Sequence, residues 1–204
     1  SNTLRGGSIP IGEWGSVGGC ESGFVVPDTV TNQTVWSGCY EGILERHDLE
    51  TGISRTVSVW PDNPEGWASQ EIPFRFQWTF PIHISPHNNE RVYVGSQFVH
   101  QTTNGGQTWE IISPDLTTND PSKQMATGGL TVEDASPTYN SVLFAIAESP
   151  LSQGTIWAGS HDGLVHVTRN GGQSWSNVTA NIPSLPPFGT ISNIEPSRFN
   201  DASA

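Results

Sequence analysis

A ten-residue pattern that occurs twice constrains the fold of this chain more than any other feature. Residues 100–109 read HQTTNGGQTW and residues 166–175 read HVTRNGGQSW. Each copy follows a short apolar run that ends in Gly-Ser, at 92–96 and at 156–160. Strand-like runs interrupted by Asn-Gly-Gly are typical of β-hairpins, because Asn and Gly tolerate positive φ. The repetition therefore predicts a chain built from copies of one small β unit.

Two weaker copies of the unit flank these strong ones. The upstream copy has apolar runs at 24–27 and 35–38 and a turn at Gly52, but Arg55 stands where the final Trp would be. The downstream copy begins at 191–197. Each copy predicts four short strands, and four-stranded units with recurring Gly and aromatic positions are typical of β-propeller blades. We therefore predict an all-β chain of stacked antiparallel sheets.

The predicted architecture is one partial β-propeller domain over residues 1–204, with about three blades and end fragments. The predicted blades are 20–63, 74–117 and 140–183, followed by a partial blade at 190–204. A closed propeller needs at least four blades, and an open ring would leave strand edges uncovered. We therefore expect either a segment of a larger ring or an assembly of several copies.

Composition excludes several classes of protein. Eight Lys and Arg face 20 Asp and Glu, and the net charge is −12, so a basic nucleic-acid footprint is excluded. No apolar run of about 18 residues is present, so we expect no membrane span. Eight Trp and eight Phe can fill a core, which argues against disorder. The chain starts at Ser1 without a signal-peptide pattern, so we expect that a leader was removed or that the chain is part of a longer protein.

The repeated pattern resembles the Asp-box, or BNR, repeat, with Asn in the usual Asp position. We call residues 102–109 and 168–175 the first and second box. The resemblance implies a structural role for Thr102, Asn104, Gly106, Trp109, Thr168, Asn170, Gly172 and Trp175. The Asn side chain would bond backbone N–H groups across the turn, the Thr would orient it, and the Trp would pack on a neighbouring blade.

The wider sequence resembles the sortilin-like, BNR-containing propeller proteins of bacteria, which are often named glycosyl hydrolases. The segments that carry this resemblance are 21–24, 75–82, 113–117, 147–150 and 157–164, and it covers most of residues 19–200. Asp-box propellers include sialidases, xyloglucanases, sortilin receptors and photosystem assembly factors. The resemblance therefore implies a fold more firmly than a function.

In such a propeller, ligands bind on the face made by the B–C turns and the D–A loops, where A to D are the four strands of a blade. The B–C turns supply Tyr40, Glu41, Gln97, His161 and Asp162. The D–A loops supply Glu21, Trp67, Arg75, Gln77, Trp78, Glu133 and Asp134. Aromatic rings and carboxylates together suit a sugar-binding cleft. For these residues we prefer the interpretation of solvated loop charges and blade-packing Trp residues, with the cleft as the alternative.

The sequence does not establish whether the chain is an enzyme, and we prefer a non-catalytic function. A glycosidase needs two carboxylates about 5–10 Å apart, and the candidates are Glu21, Glu133, Asp134 and Asp162. A sialidase would need a cluster of three Arg, which seven Arg in the chain make improbable. For Arg75 we prefer an ion pair that closes an inter-blade loop. The six His form no metal-binding pattern, and we expect neither a metal nor a cofactor.

The two cysteines of the chain are predicted to form a disulfide. A hairpin of residues 24–26 and 33–35 that closes near 29–30 would place Cys20 opposite Cys39. A disulfide implies an oxidising compartment, extracellular or periplasmic. Two buried free thiols are the alternative.

The preferred function is an exported propeller module that acts as a scaffold for binding a glycan or a protein. The alternatives are a glycoside hydrolase that uses paired carboxylates, and a structural or assembly factor in a larger complex. The expected partners are a glycan or protein ligand, together with the rest of the parent propeller or other copies of the chain.

Overall fold

The structure, a computed structural model, describes residues 12, 14–20, 23–61, 67–125 and 140–204. Within these stretches the chain forms twelve β-strands and a few 3-10 turns, with no α-helix. Among the same residues no helix is long and apolar enough to cross a membrane.

The twelve strands form three four-stranded antiparallel sheets. The first contains β1 (Val25–Pro27), β2 (Thr34–Gly38), β3 (Leu44–Asp48) and β4 (Ser54–Thr56). The second contains β5 (Ile82–Ile84), β6 (Val92–Gly95), β7 (Val99–Thr102) and β8 (Glu110–Ile111). The third contains β9 (Leu143–Glu148), β10 (Ile156–Ser160), β11 (Val165–Thr168) and β12 (Ser176–Asn177). In each sheet the strands are neighbours in chain order, which confirms the predicted all-β fold of four-stranded units.

The sheets pack face to face in sequence order, and a glycine at the end of the second strand sets how closely they approach. A Cβ on Gly38 would lie 3.1 Å from the ring of Phe80 and 3.2 Å from Ile82. A Cβ on Gly95 would lie 2.7 Å from Pro81 and 3.0 Å from Ile146. The first strand of each following sheet therefore crosses directly over the glycine of the sheet before it. We call the interface between two consecutive sheets a seam.

Each seam encloses its own apolar core. Between the first and second sheets the buried cluster is Trp36, Leu44, Phe76, Phe80, Ile82, Val92 and Val94. Between the second and third it is Tyr93, Val99, Leu116, Leu143, Ile146, Ile156 and Ala158. A single sheet of this size cannot bury both of its faces, so burial between neighbours supplies the main stabilisation.

The two boxes form the same hydrogen-bonded turn. In the first box the Thr102 hydroxyl donates to Asn104 Oδ1 (2.9 Å) and accepts from the Gly106 N–H (3.1 Å), while Asn104 Oδ1 also accepts from the Thr108 N–H (3.0 Å). The second box repeats these bonds through Thr168, Asn170, Gly172 and Ser174, at 2.9, 3.0 and 3.0 Å. The Asn side chain therefore supplies the acceptor that an Asp would supply.

The Trp of each box reaches across a seam to the preceding sheet. Trp109 Nε1 donates to the Val57 carbonyl oxygen (2.9 Å), and Trp175 Nε1 donates to the Ile112 carbonyl oxygen (2.8 Å). Val57 and Ile112 occupy the same position, directly after the fourth strand of their sheets. The two indoles thus have equivalent surroundings in successive sheets, as expected of propeller blades.

The register predicted for the first hairpin is wrong. The structure pairs Val25 with Ser37 and Pro27 with Val35, so the connection is wider than a hairpin closing near 29–30. Asp28 closes this loop, because its Oδ1 accepts from the Val30 and Thr31 N–H groups and its own N–H donates to the Thr34 carbonyl. A side chain that satisfies several backbone donors stabilises a longer loop.

Residues 191–203 repeat the backbone contacts of a blade's first strand and first turn, although no strand is assigned there. Ile191 N–H donates to the Ser160 carbonyl at 3.1 Å, and Ser197 N–H donates to the Ser203 carbonyl at 3.0 Å. The equivalent pairs one blade earlier are Leu143–Ser96 and Ser149–Thr155, at 2.7 and 2.8 Å. The partial blade at 190–204 and the blade boundaries given above stay predictions.

Candidate functional site

An aromatic pair lies at the end of the first seam, where a B–C turn meets a D–A loop. The rings of Tyr40 and Trp78 are 5.4 Å apart with an interplanar angle of 65°. Both residues are half-buried. Trp78 Nε1 is buried and has no hydrogen-bond partner among the described residues. The pair therefore presents aromatic surface, while the indole nitrogen of Trp78 is enclosed.

The turn that carries Tyr40 is held in a strained conformation. Glu41 has φ 64° and ψ 19° within the 3-10 turn Tyr40–Gly42, and a side chain in this left-handed region costs free energy. Gly42 is also left-handed, at φ 78°, and a Cβ there would lie 2.5–2.8 Å from the ring of Phe76. The turn is thus pressed against the seam core, which fixes the positions of Tyr40 and Glu41.

Two of the predicted ligand-face residues are buried and serve the fold. Gln97 Oε1 accepts from the Arg75 N–H at 2.8 Å, and Gln97 Nε2 donates to the Pro73 carbonyl at 2.9 Å. Gln77 Oε1 accepts from the Trp78 N–H at 2.6 Å. These amides hold the D–A loop in place, so neither side chain is presented to a ligand.

Arg75 forms an ion pair that joins the loop before the second sheet to the loop after it, in keeping with the expected role in closing an inter-blade loop. Its guanidinium donates to Asp115 Oδ2 at 2.8 Å and, through Nε, to the Ser141 carbonyl at 2.9 Å. The residue is 6% exposed. A buried guanidinium needs such partners, because removing one would leave an uncompensated charge. Arg75 is therefore tied to the fold.

Asp162 is the only one of the four candidate catalytic carboxylates within the described residues. It is 4% exposed, and its Oδ2 accepts from the N–H (2.8 Å) and the hydroxyl (2.5 Å) of Thr118. This contact joins a B–C turn of the third sheet to the loop that follows the second. The other three candidates, Glu21, Glu133 and Asp134, lie outside the described residues.

Trp67 and His161 take no part in the loop contacts of Arg75 and Asp162. Trp67 is 56% exposed. His161 is half-buried beside the ring of Phe144, with centroids 6.2 Å apart. Both therefore have surface that a ligand could reach.

Cys20 and Cys39 form a disulfide, with their Cα atoms 5.1 Å apart. The neighbouring Gly19 N–H donates to Glu45 Oε2 at 2.7 Å. Together these contacts fasten the segment before β1 to the turn that carries Tyr40.

His100 and His166 occupy equivalent positions two residues before the boxes; His100 is buried and His166 is half-buried. Burial lowers the pKa of His100 to about 4, and His100 Nε2 contacts the Ser96 hydroxyl at 2.7 Å. Burial also lowers the pKa of His166, although the Asp162 carboxylate opposes that shift. Across the described stretches, no group of three or more His, Cys, Asp or Glu side chains could hold a metal ion.

Two cavities of the molecule were not anticipated from the sequence. One, of about 390 Å³, lies at the box end of the first seam and is lined by Arg46 and Arg55. The other, of about 490 Å³, follows the first strands of the second and third sheets and includes His83 and Glu148. Their lining residues come from segments far apart in the chain, so the cavities become visible only in the folded structure.

The architecture follows from three repeated features: the four-stranded sheets, the seams between them and the boxes. The fold is a partial β-propeller. No family profile matches the sequence, and no curated protein matches it significantly. Membership of the sortilin-like Asp-box family stays a prediction.

Several solved structures are similar to this partial propeller. One is YCF48 bound to D1 peptide, at 12% identity and TM-score 0.43, over 76% of this chain and 39% of that one. Another is the GH74 xyloglucanase from Xanthomonas campestris, at 15% identity and TM-score 0.49, over 82% and 22%. A third is an extracellular domain from B. thetaiotaomicron, at 13% identity and TM-score 0.44, over 75% and 16%. This chain therefore spans less than two fifths of the length of each.

Proposed function

We propose that this chain is the glycan-binding part of an exported β-propeller, and that the glycan contacts the Tyr40–Trp78 pair. The observation that carries the proposal is this half-buried edge-to-face pair, built from two different blades and fixed by the strained turn beside it. A pair fixed in this way loses little conformational freedom when a ligand binds.

The chemistry of the pair suits a sugar. The C–H face of a pyranose packs on an aromatic ring, and ligand hydroxyl groups can approach the half-buried Glu41, which follows Tyr40 in the turn. Exposed Trp67 belongs to the loop that leads towards Trp78 and could extend the same surface. We therefore propose that the ligand contacts only part of the face predicted from the sequence, around Tyr40, Trp67 and Trp78.

Binding is favoured over hydrolysis by the contacts of the remaining candidates. Asp162, the candidate that the described residues include, is 4% exposed and accepts two hydrogen bonds from Thr118 through Oδ2. A glycosidase needs one carboxyl group that can donate a proton and a second carboxylate at a defined separation. The hydrolase alternative would therefore depend on Glu21, Glu133 or Asp134.

Export is supported by the disulfide. Disulfides persist in oxidising compartments and are rare in reducing ones. The Cys20–Cys39 bond is therefore consistent with an extracellular or periplasmic location.

The glycan proposal can be tested with oligosaccharides derived from xyloglucan, pectin, chitin and cellulose, by calorimetric titration. We expect one of these classes to bind, and Tyr40→Ala and Trp78→Ala each to weaken binding at least tenfold. Phe199→Ala, at a residue that is 96% exposed, is the matched aromatic control and should bind normally. No response to the whole panel would overturn the glycan proposal and make a protein ligand the next hypothesis. Release of reducing sugar would show the hydrolase alternative.

We also propose that a further box-bearing blade of the parent ring covers the outer face of the third sheet. A cavity of about 520 Å³ on this face is lined by Trp157, Val165, Val178, Ile191 and Ile194, among others. Val178 lies directly after β12, in the position where the two preceding blades each accept a bond from a box Trp.

A second copy of the chain is the less suitable occupant of that face, because its first blade carries Arg55 in place of a box Trp. Sedimentation analysis should therefore find a monomer. An oligomer that dissociates on Trp157→Asp substitution would show instead that copies cover this face, in keeping with the assembly alternative.

A further inference from the structure

A polar cavity lies between the first and second blades, at the end of the seam opposite the Tyr40–Trp78 pair. It has a volume of about 390 Å³, within the range usual for small-molecule sites. The first turn of both blades and the first box supply its walls. Its polar lining includes Gln33, Arg46, Arg55, Asn89, Glu90 and Gln107.

Two arginines face each other across adjacent strands in this cavity. Arg46 in β3 pairs directly with Arg55 in β4, so their side chains project from the same side of the sheet. The equivalent pairs in the next two blades are Gln101–Glu110 and Val167–Ser176. The blade architecture therefore does not require two cations here. Like charges in directly opposite positions destabilise a sheet.

Among the described residues, neither guanidinium has a hydrogen-bond or ion-pair partner. Arg46 is half-buried, and its Nε lies 3.6 Å from the position of a Cβ on Gly105. The half-buried Arg46 thus lies beside the turn of the first box, whereas Arg55 is exposed.

The carboxylates nearby have other hydrogen-bond partners. Burial raises the pKa of Asp28, but hydrogen bonds from the Thr31 hydroxyl, the Val30 N–H, Asn89 Nδ2 and the Thr31 N–H outweigh it, so the pKa is lowered. Asp48, which attracts Arg46 electrostatically, accepts from the Thr51 N–H and hydroxyl. Glu90 lies exposed at the rim. Asp28 and Asp48 therefore accept hydrogen bonds from groups other than the two arginines.

We propose that this cavity is a second ligand site, specific for an acidic saccharide. The carboxylate of a hexuronate would bind between the guanidiniums of Arg46 and Arg55, which match the planar geometry of a carboxylate. Its hydroxyl groups would bond the amides of Gln33 and Gln107 and the Glu90 carboxylate. A sugar sulfate or phosphate offers similar oxyanion chemistry, so the test separates these sources. The site does not depend on the glycan proposed for the opposite end of the seam.

The test is a titration of the nitrogen-15-labelled chain, followed through the arginine Nε–Hε signals by NMR. The probes are D-glucuronate, D-galacturonate, glucose 6-sulfate and glucose 6-phosphate, with D-glucose and inorganic phosphate as controls. We expect the hexuronates to shift the signals of Arg46 and Arg55, and Arg46→Gln or Arg55→Gln to weaken binding at least tenfold. Arg46→Lys should also weaken binding, because Lys retains the charge but not the planar pair of donors.

Matched variants separate this site from other causes. Arg198→Gln, at an exposed arginine in the C-terminal segment, should leave hexuronate binding unchanged. Arg46→Gln should unfold at the same or a higher temperature than the unmodified chain, because it removes a like-charge contact. Loss of binding in that variant therefore cannot be attributed to misfolding.

Four outcomes would overturn the proposal. They are the absence of any shift with acidic sugars, equal affinity in the Arg46→Gln and Arg55→Gln variants, equal binding of D-glucose, and binding of inorganic phosphate as tight as that of any sugar. The last would mean an adventitious ion only. A preference for the sulfate or phosphate ester over the hexuronates would keep the site but replace the carboxylate as its anion.

Discussion

The indole nitrogen of Trp175 donates a hydrogen bond to the backbone carbonyl of Ile112, across the seam between the second and third blades, at 2.8 Å. Trp109 makes the same bond to Val57 across the first seam. The box is therefore a turn within its own blade. It also positions that blade against the preceding one. Because the acceptor is a backbone atom, the contact depends on the course of the chain after β4 and β8.

Trp175→Phe should destabilise the chain by about 2 kcal/mol. The substitution keeps an aromatic ring but leaves the Ile112 carbonyl without its donor, and an unsatisfied acceptor of this kind costs about 1–3 kcal/mol. Urea unfolding followed by far-UV circular dichroism measures the change. Trp60→Phe, at a half-exposed indole outside the boxes, is the control and should change stability little. Equal stability of the Trp175 variant and the unmodified chain would show that the indole bond contributes nothing.

Gly172→Ala should be far more damaging than Gly171→Ala, although the two glycines are adjacent. Both have positive φ, 97° and 68°, so both substitutions strain the backbone by about 1 kcal/mol. A Cβ on Gly171 would meet nothing within 4 Å, whereas one on Gly172 would collide with the backbone of Ile112. We therefore expect an additional loss of about 2 kcal/mol or more for Gly172→Ala. Thermal unfolding of the two variants in parallel tests this, and similar midpoints would contradict it.

Removal of the disulfide should destabilise the chain by about 3 kcal/mol. Cys20 and Cys39 are 19 positions apart, and closing a loop of that size restricts the unfolded chain by roughly this amount. The Cys20→Ser/Cys39→Ser variant should therefore unfold at lower urea concentration. Dithiothreitol should lower the midpoint of the unmodified chain to a similar value and leave the variant unaffected. A midpoint insensitive to reductant would contradict the prediction.

Stability should fall as the pH decreases from about 6.5 to 4, in part because of His100. Burial lowers its folded pKa to about 4, against about 6.5 when unfolded, so the unfolded state binds more protons in this window. The shift corresponds to a loss on the order of 3 kcal/mol by pH 4. His100→Gln should reduce the pH dependence between pH 7 and 4.5, measured by urea unfolding. Its pH dependence above pH 7 should match the unmodified chain, and an identical acid slope would refute the role of His100.

The strand pattern and the boxes could be predicted from the sequence because they rest on local chemistry. Asn104 bonds to residues within a few positions of itself, so spacing alone indicates the turn. The width of the first hairpin was not predictable in the same way. A short turn and a longer loop compete at this position, and they differ little in free energy. Asp28 favours the longer loop because its side chain satisfies several backbone donors.

The candidate site was only partly predictable, because its roles depend on partners distant in the chain. Arg75 binds Asp115, and Asp162 binds Thr118, both across connections between blades. The composition of the loops indicated the residue types but could not distinguish a ligand-binding side chain from one that closes a loop. The opposition of Arg46 and Arg55 likewise follows from strand register rather than from spacing.

The sequence by itself determined that the chain repeats a four-stranded β unit whose final hairpin ends in Trp, since hairpin turns are encoded by a few adjacent residues. The tertiary structure alone decided which polar groups remain available. Contacts between loops pair Arg75 with Asp115 and one carboxylate oxygen of Asp162 with Thr118, whereas the Tyr40–Trp78 pair and the two seam arginines stay at a surface. Satisfaction of a polar group is a property of its three-dimensional neighbours, and these come from segments far apart in the chain.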